Sequence, residues 1–230
     1  MKITILGSCR QDSLYGEFEI SNIQRGISYP HYTKEIIEVI KFCKYGHLTP
    51  EQTLYTFRTP ILEKRPIYFS DNIKNDFESS NIFVVEIASK IDYQYDGIHV
   101  HHISSENEYN TVIKNEIKQT IQSKDEIEDD IISIKKYLKS LIIVGHIVTY
   151  DSGDRYNLLC WIEEICNKHN ILFINPVKEL LVLGYDINNL IVNEKVISHY
   201  NYDGHNIIKK IYKNFINRLS PLHEVSQSQL

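Results

Sequence analysis

Short apolar runs that alternate with stretches of helical periodicity constrain the fold of this chain more than any other feature. The runs are rich in β-branched residues, and they cover residues 3–6, 81–88, 141–148 and 171–175. Such runs are typical of strands buried on both faces of a parallel sheet. With a shorter strand over residues 17–23, they predict an α/β fold. Its sheet is doubly wound, flavodoxin-like and mostly parallel, with five strands in the order 2-1-3-4-5 and helices on both faces.

Helical periodicity fills the stretches between the apolar runs. Residues 34–44 carry apolar side chains on one helical face, and Thr33 is the predicted N-cap. The segment TPEQ at residues 49–52 combines a capping residue, a first-turn proline and a reciprocal glutamine, which indicates a helix start. Further helices are predicted where apolar residues recur every three or four positions, over residues 113–121, 127–138, 158–168 and 203–219.

Length and charge limit the classes of protein to which this chain can belong. A chain of 230 residues with 42% hydrophobic residues is long enough for one substantial core. We expect one α/β domain over residues 1–220, with a helical insertion around residues 30–80 and a flexible tail over 221–230. The net charge of −5 and the dispersal of lysines among acidic residues argue against a nucleic-acid partner.

Cysteine usage and hydropathy give an expectation for the compartment. The four cysteines show no Cys-x-x-Cys spacing, and the chain opens directly on a strand without a secretory leader. No apolar stretch reaches the length of about 20 residues that a membrane span needs. We therefore expect free thiols, a reducing, cytoplasmic compartment and no membrane partner, whereas the sequence leaves the oligomeric state open.

The first strand leads directly into a candidate nucleophile. The segment KITILGSCRQDSL at residues 2–14 contains an apolar strand, then Gly7, then Ser8 and Cys9, then a polar stretch able to begin a helix. Ligands bind at the carboxyl ends of strands in open α/β sheets, so a nucleophile here is placed for acyl transfer. In the simpler alternative, Gly7 serves the turn, Ser8 caps the helix and Cys9 packs beneath it.

A second group of polar residues precedes the last predicted helix. His199 lies just upstream of that helix, and either Asn201 or Asp203 is able to cap it. If the helix packs beside the first strand, His199 reaches the end of that strand and serves as base for a nucleophile there. We interpret His205, in the first helical turn, as a structural or surface histidine.

These segments, taken in order, resemble the SGNH (GDSL-type) hydrolase superfamily in four separated blocks. In the first block the family's serine falls on Cys9 and its neighbouring polar position falls on Ser8. The second block resembles residues 22–29, with Tyr29 at the position of the oxyanion-hole glycine. The third resembles residues 84–91, with Lys90 at the position of the family's asparagine.

The fourth block is the best match to the family pattern. His199, Asn201, Gly204 and Ile208 all fall at family positions, whereas Val196 replaces the aspartate of the triad. The Gly-Ser-Cys start of the first block resembles GSCFA-like proteins and certain capsule-polysaccharide acyltransferases.

The resemblance implies an acyl hydrolase or O-acyltransferase that acts on an ester of a carbohydrate or glycan. Cys9 or Ser8 is then the nucleophile and His199 the base. The resemblance implies no cofactor, and acyl-CoA would be the acyl donor if the chain is a transferase. The replacements at Val196, Lys90 and Tyr29 support an alternative, a catalytically silent SGNH-fold protein that binds a glycan or a nucleotide-linked ligand. A nucleotide-binding flavodoxin-like domain is a third alternative, but its Gly-x-Gly pattern is absent.

Physical chemistry favours Cys9 over Ser8 within this hypothesis. A thiol at a helix N-terminus beside a histidine has a lowered pKa, so it depends less on an orienting acid than a hydroxyl does. Glu194 is the one acidic residue considered in place of that acid. Backbone N–H groups after Cys9 and at Tyr29 are the predicted oxyanion donors. The wider set expected to bind the oxyanion or the substrate comprises Tyr29, Ser89, Lys90, Arg10, Asn201, Asp203 and His205.

Other polar residues have two interpretations each. Glu86 lies in an apolar strand, so it either faces the cleft at the strand end or pairs with a buried arginine. His146 and Asp151 follow the fourth main strand and are candidates to line the cleft. An anionic group of the substrate, or ordinary surface salt bridges, would explain a dispersed set of basic residues: His31, Lys34, Arg10, Arg58 and Arg155.

Three histidines lie close together in residues 99–102. His99 and His101 form a His-x-His pair on one face of an extended segment, which is compatible with a metal site, and His102 adjoins them. No further ligand lies at a clear spacing, so we predict no metal site from the sequence.

Overall fold

The structure is a computed structural model that describes residues 1–21, 26–109, 111–194 and 197–219. The predicted tail and residues 22–25 of the second family block lie outside the described residues. Ten strands are found in the described chain: β1 (Lys2–Leu6), β2 (Glu19–Ile20), β3 (Ile82–Ile87), β4 (Ile91–Tyr95), β5 (Ile98–His99), β6 (Lys118–Ile121), β7 (Leu141–Gly145), β8 (Leu172–Ile174), β9 (Ile191–Glu194) and β10 (Ile197–Tyr200).

Eight α-helices connect these strands in the described part of the chain. They are α1 (Thr33–Tyr45), α2 (Pro50–Thr56), α3 (Arg58–Glu63), α4 (Asp71–Glu78), α5 (Lys124–Tyr137), α6 (Asp154–Lys168), α7 (Pro176–Val182) and α8 (Tyr202–Leu219). Helices α1 to α4 fill the stretch between β2 and β3, where the sequence predicts a helical insertion. None of the described helices is both long and apolar enough to cross a bilayer.

The main sheet has five strands in the order β2-β1-β3-β7-β8. Every neighbouring pair in it is parallel. In chain order this is the predicted 2-1-3-4-5 arrangement, so the fold class is confirmed. The central strands β1, β3 and β7 are almost wholly buried, which explains why their sequences are continuous apolar runs rather than alternating ones.

Two hydrophobic cores cover the two faces of this sheet. Phe83, Val85 and Ile87 of β3 belong to one core, together with apolar residues of α1, α5 and α6. Ile82 and Val84 belong to the other core, which includes residues of α7 and α8. Helices therefore lie on both faces, as the alternation of strands and helices predicts.

One predicted helix is wrong. Residues 113–121, which carry isoleucines at a spacing of four, contain no α-helix, and their second half forms β6. This strand pairs antiparallel with β4, where Ile121 lies opposite Ile91. The side chain of Ile121 is 69% exposed, so the spacing does not mark a buried face, and strand pairing overrides the helical pattern.

The helix starts were predicted with mixed success. The capping box of Thr49 and Gln52 is present at the start of α2. Thr33, predicted as an N-cap, is instead the first residue of α1, and the N-cap is Tyr32. Thr33 donates its hydroxyl proton to Asp130 over 2.6 Å. Because that side chain is committed to a carboxylate on α5, it does not cap its own helix.

Close approaches of the backbone require glycine at two positions that position the candidate site. A Cβ on Gly7 would lie 2.7 Å from the Cβ of Glu86, so only glycine lets the turn after β1 lie against β3. A Cβ on Gly204, near the start of α8, would overlap the carbonyl oxygen of Leu190. That oxygen accepts the N–H of Asn201, so this contact holds α8 against the hairpin of β9 and β10.

We expect Gly204→Ala to lower the free energy of unfolding by about 1–3 kcal/mol, because the added methyl group must displace backbone rather than a flexible side chain. Urea unfolding checks this value. The matched control is Lys210→Ala on an exposed position of the same helix, which we expect to change stability by less than about 0.5 kcal/mol. Equal effects of the two substitutions would contradict the packing argument.

Candidate active site

A thiol and an imidazole meet at the carboxyl end of β1. Cys9 begins the 3-10 helix Cys9–Leu14 that follows this strand, and His199 lies on β10. The Sγ of Cys9 is 3.7 Å from the Nδ1 of His199, although 190 residues separate them in the chain. Both side chains are half-buried. A thiol and an imidazole at this separation are able to act together as nucleophile and base.

Ser8 is held in place by hydrogen bonds on every side of its hydroxyl group. The hydroxyl donates to Oε2 of Glu86 over 2.5 Å and accepts from Nη1 of Arg10 over 2.8 Å. It also caps the 3-10 helix, as the simpler alternative predicts. Because its proton already lies in a hydrogen bond to a buried carboxylate, this hydroxyl is poorly placed to be deprotonated by His199.

Glu86 is the carboxylate beneath this turn, and it is fully buried. Besides the Ser8 hydroxyl, it accepts the Ser8 backbone N–H over 2.8 Å. Nη1 of Arg10 lies 3.9 Å from its Oε1. The two interpretations of Glu86 offered by the sequence therefore both apply: it lies near the end of β3, and it pairs with a buried arginine.

His146 completes the shell around Glu86. Its Nδ1 lies 3.1 Å from Oε1 of Glu86, and its Nε2 lies 3.2 Å from Nη1 of Arg155. Because a guanidinium group only donates, Nε2 of His146 accepts and Nδ1–H donates to the carboxylate. Burial lowers the pKa of His146, which keeps the ring in this neutral form.

Opposing effects set the pKa of Glu86. Burial by itself raises it, but hydrogen bonds from His146 and Ser8, with the charge of Arg10, outweigh burial and hold the pKa far below its ordinary value. Glu86 is therefore ionised at neutral pH, and three neighbouring side chains depend on its charge.

The pKa of Cys9 differs from the sequence-based expectation. Burial raises the pKa of this thiol above its ordinary value, and the nearby charge of Arg10 lowers it by less. The prediction of a lowered pKa is wrong because the 3-10 helix that begins at Cys9 has only six residues and burial dominates. Cys9 is thus a protonated thiol at neutral pH, and it needs a base.

Tyr29 lies beside this pair in a backbone conformation that favours glycine. Its φ is 75°, which fits its alignment with a family glycine. Its hydroxyl lies 3.5 Å from Oδ1 of Asp12, and the guanidinium of Arg58 lies 5.2 Å from its ring centroid. Burial raises the pKa of Asp12 to about 6.

Some of the expected oxyanion donors are used elsewhere. After Cys9, the N–H groups of Arg10 and Gln11 lie 3.4 Å and 3.0 Å from the hydroxyl and carbonyl oxygens of Ser8. The N–H of Ser89 donates to the carbonyl of His31. Lys90 does not provide the expected charge, because its Nζ bonds to Asp154 over 2.8 Å and lies over the ring of Trp161.

Residues of the fourth family block are mainly structural. Asn201 accepts the N–H of Gly204 over 2.9 Å and donates to the carbonyl of Asn189, so it caps α8. Asp203 is exposed in the first turn, and His205 packs edge-on against Tyr200, which agrees with a structural role. Val196 lies outside the described residues, as does the side chain of Glu194.

A cavity of about 310 Å³ opens beside the Glu86 shell. Its polar lining includes Arg10, Ser89, His146, Arg155, His31 and His102. Burial lowers the pKa of His31 to about 3 and that of His102 to about 4, so both rings are neutral at pH 7. The sequence indicated these residues singly, but nothing in their spacing predicted that they share one cavity.

We expect Glu86→Gln to lower the free energy of unfolding by about 3–5 kcal/mol at pH 7, because it removes the charge that a buried arginine and three hydrogen-bond donors face. The carboxyl pKa is lowered in the folded state, so its stabilisation is present above about pH 4.3 and is lost as pH falls further. The difference from the wild type should therefore shrink in acid. Urea unfolding at several pH values measures it, with the exposed Glu78→Gln as the control. A constant difference at every pH would contradict this account.

We expect the rate of Cys9 alkylation by iodoacetamide to keep rising above about pH 10, where a thiol with the ordinary pKa of about 8.5 has already reached its plateau. Burial causes this by raising the thiol pKa. Peptide mass spectrometry measures the rate in a Cys160→Ser background, which removes the other half-buried thiol. A rate that levels off below pH 8 would indicate a thiolate–imidazolium pair instead.

Comparisons with known proteins give only distant likenesses. No protein-family model matches the chain, and no curated protein matches it significantly. LAE5, an alpha/beta hydrolase enzyme from the metagenome of Lake Arreo, Spain, is 10% identical with a TM-score of 0.41, and the match covers 92% of each chain. Axe2, an acetylxylan esterase from Geobacillus stearothermophilus, is 12% identical with a TM-score of 0.38, over 92% of this chain and 91% of that one. Both likenesses are too distant to carry an argument, so the fold assignment rests on the observed strand order.

Proposed function

We propose that this chain is an SGNH-like acyl hydrolase or O-acyltransferase that acts on an ester of a carbohydrate or glycan. Cys9 is the nucleophile and His199 is the base. The observation that carries the proposal is the distance of 3.7 Å between Sγ of Cys9 and Nδ1 of His199. Two distant segments bring a nucleophile and a base together at the sheet edge where α/β folds bind their ligands.

The proposed reaction has two steps through a thioester. Nδ1 of His199 takes the thiol proton as Sγ of Cys9 attacks the acyl carbonyl carbon, and the carbonyl electrons move to its oxygen. As the tetrahedral intermediate collapses, the C–O bond to the sugar breaks, and His199 gives its proton to the leaving oxygen. Water or a second hydroxyl then attacks the thioester with His199 again as base, and the carboxylic acid or new ester leaves as the thiol re-forms.

The raised pKa of Cys9 makes the base essential. A buried thiol that is protonated at neutral pH is a weak nucleophile, so His199 has to remove the proton during attack. Ser8 is the less suitable nucleophile because its hydroxyl already bonds to Glu86 and Arg10. We assign Ser8 and Glu86 to positioning, since they hold the turn that presents Cys9.

The backbone N–H of Tyr29 is the proposed oxyanion donor. Its glycine-like φ of 75° supports this role, as does its alignment with the oxyanion-hole glycine of the family that the sequence resembles. A single donor of this kind contributes about 3–4 kcal/mol to lowering the barrier.

The cavity beside Arg10 is the proposed place for the sugar or for an acidic substituent on it. Its volume of about 310 Å³ lies at the lower end of the range for small-ligand sites. Guanidinium, imidazole and hydroxyl groups line it, together with the carboxyl group of Glu106. The polar groups suit a polyhydroxylated ligand better than a lipid chain, and the two guanidinium groups suit the phosphates of an acyl-CoA donor.

A silent glycan-binding protein is the second candidate function. Two observations favour it. Lys90 bonds to Asp154, so its charge is not available to an oxyanion, and the raised pKa of Cys9 makes the thiol a weaker nucleophile. In that case the same cavity binds the ligand and no acyl group is transferred.

We expect hydrolysis of 4-nitrophenyl acetate and of acetylated xylo-oligosaccharides to fall by about 100-fold or more in Cys9→Ala and in His199→Gln, because each change removes one partner of the proton transfer. Compared with these two variants, Ser8→Ala should keep more of the activity and show a larger fall in the free energy of unfolding. Cys160→Ala, a half-buried thiol outside the site, is the matched control.

Two outcomes would overturn this assignment. Activity that survives both Cys9→Ala and His199→Gln would place the chemistry elsewhere. A wild-type chain that binds the oligosaccharide in calorimetry but hydrolyses neither ester would favour the silent binding protein.

A further inference from the structure

Three histidines that the proposed reaction does not use converge beside the cavity. His31 lies in the loop before α1, and His101 and His102 follow β5. One nitrogen from each ring lies within 4.8 Å of the other two. Among the described residues, this is the one group of three or more metal-ligating side chains that converge so closely.

Two of these rings leave a buried nitrogen without a partner. Nδ1 of His31 and Nδ1 of His102 are both buried, and within the described chain neither has a hydrogen-bond partner. Leaving such an atom unpaired costs about 1–3 kcal/mol. The two rings pack against each other with centroids 4.4 Å apart, so the two unpaired nitrogens belong to neighbouring side chains.

The far nitrogens of His101 and His102 have the partners that are usual for metal-bound histidines. Nε2 of His101 lies 3.1 Å from the carbonyl oxygen of Tyr29, to which it donates. Nε2 of His102 lies 3.5 Å from Oε1 of Glu106. In metal sites the far nitrogen of a ligating histidine donates to a carbonyl or a carboxylate, which fixes the ring and its tautomer. These contacts leave Nδ1 as the ligating atom of both rings.

We propose that His31, His101 and His102 bind one divalent transition-metal ion of the zinc class through their Nδ1 atoms, with a fourth position open to the cavity beside Arg10. Three imidazoles with one open position form a familiar zinc geometry, and imidazole also suits copper, nickel and cobalt. His31 and His102 both line that cavity, which gives the ion a path of entry.

Only modest movement is needed to form the site. Zinc–nitrogen bonds of about 2.0–2.1 Å in a tetrahedral site place the ligand nitrogens about 3.3 Å apart. The ligand nitrogens now lie within 4.8 Å of one another, so the His31 and His102 rings have to rotate towards the ion. His101 has to give up the bond of 3.3 Å that its Nδ1 accepts from the N–H of Ile103. Glu35, which is buried, lies 3.9 Å from Nε2 of His101, so a carboxyl group lies behind this ring on the side of its far nitrogen.

A bound ion would join the segment that carries Tyr29 to the segment after β5. The carbonyl of Tyr29 already accepts a hydrogen bond from His101, so the ion would stiffen the backbone at Tyr29. His31 and His102 also line the cavity proposed for the sugar. The metal site still does not depend on the proposed function, because none of its three ligands takes part in the bond-making steps.

The test uses the full chain after treatment with a chelator, titrated with Zn²⁺ by calorimetry and with Co²⁺ by visible absorption. We expect one ion per chain, a zinc-dependent rise in the melting temperature, and affinity lowered at least about 100-fold in His31→Gln and in His102→Gln. His99→Gln is the matched control, because His99 lies in the same segment but bonds to Asp92 and should bind the ion as the wild type does.

Three results would overturn the proposal: no saturable binding of Zn²⁺ to the wild type, equal loss of affinity in His99→Gln, or a thiolate-to-cobalt absorption band. The last would place the ion on a cysteine such as Cys9. If the histidine variants fail to fold, the cobalt spectrum of the wild type still tests the proposal. An imidazole site without thiolate lacks that band, whereas a cysteine site shows it.

Discussion

The buried charge of Glu86 is the interaction on which the architecture of the candidate site depends. It binds the backbone and side chain of Ser8 after β1 and the ring of His146 after β7, while Arg10 supplies the opposite charge. A lone buried carboxylate is strongly unfavourable, so these donors have to be in place together. The ends of three neighbouring strands are thereby held in one arrangement, and the direction of Cys9 follows from it.

In this arrangement two adjacent residues, Ser8 and Cys9, have different roles. Ser8 faces the carboxylate and fixes the turn, whereas Cys9 faces His199. Our two proposals both involve Tyr29. Its N–H is the proposed oxyanion donor, and its carbonyl accepts a hydrogen bond from His101, one of the three clustered histidines. The backbone at Tyr29 is thus held by a side chain from the segment that follows β5.

The sheet could be predicted from the sequence because burial on both faces leaves a local signal, as in residues 81–88. The Cys9–His199 pairing was a hypothesis that a four-block resemblance suggested and that the geometry supports. The shell around Glu86 and the grouping of His31 with His101 could not be predicted, because such contacts join segments far apart in the chain. The helix expected over residues 113–121 failed because pairing with β4 outweighs a local periodicity.

The separation of 190 residues between Cys9 and His199 has a consequence for the order of assembly. The strand pairs β1–β3 and β3–β7 already require long loops to close, and closing them slows folding. The hairpin that carries His199 and the helix α8 that packs beside it come later still. All five strands of the main sheet precede residues 197–200 in the chain, so a nascent chain can build that sheet before Cys9 has a base beside it.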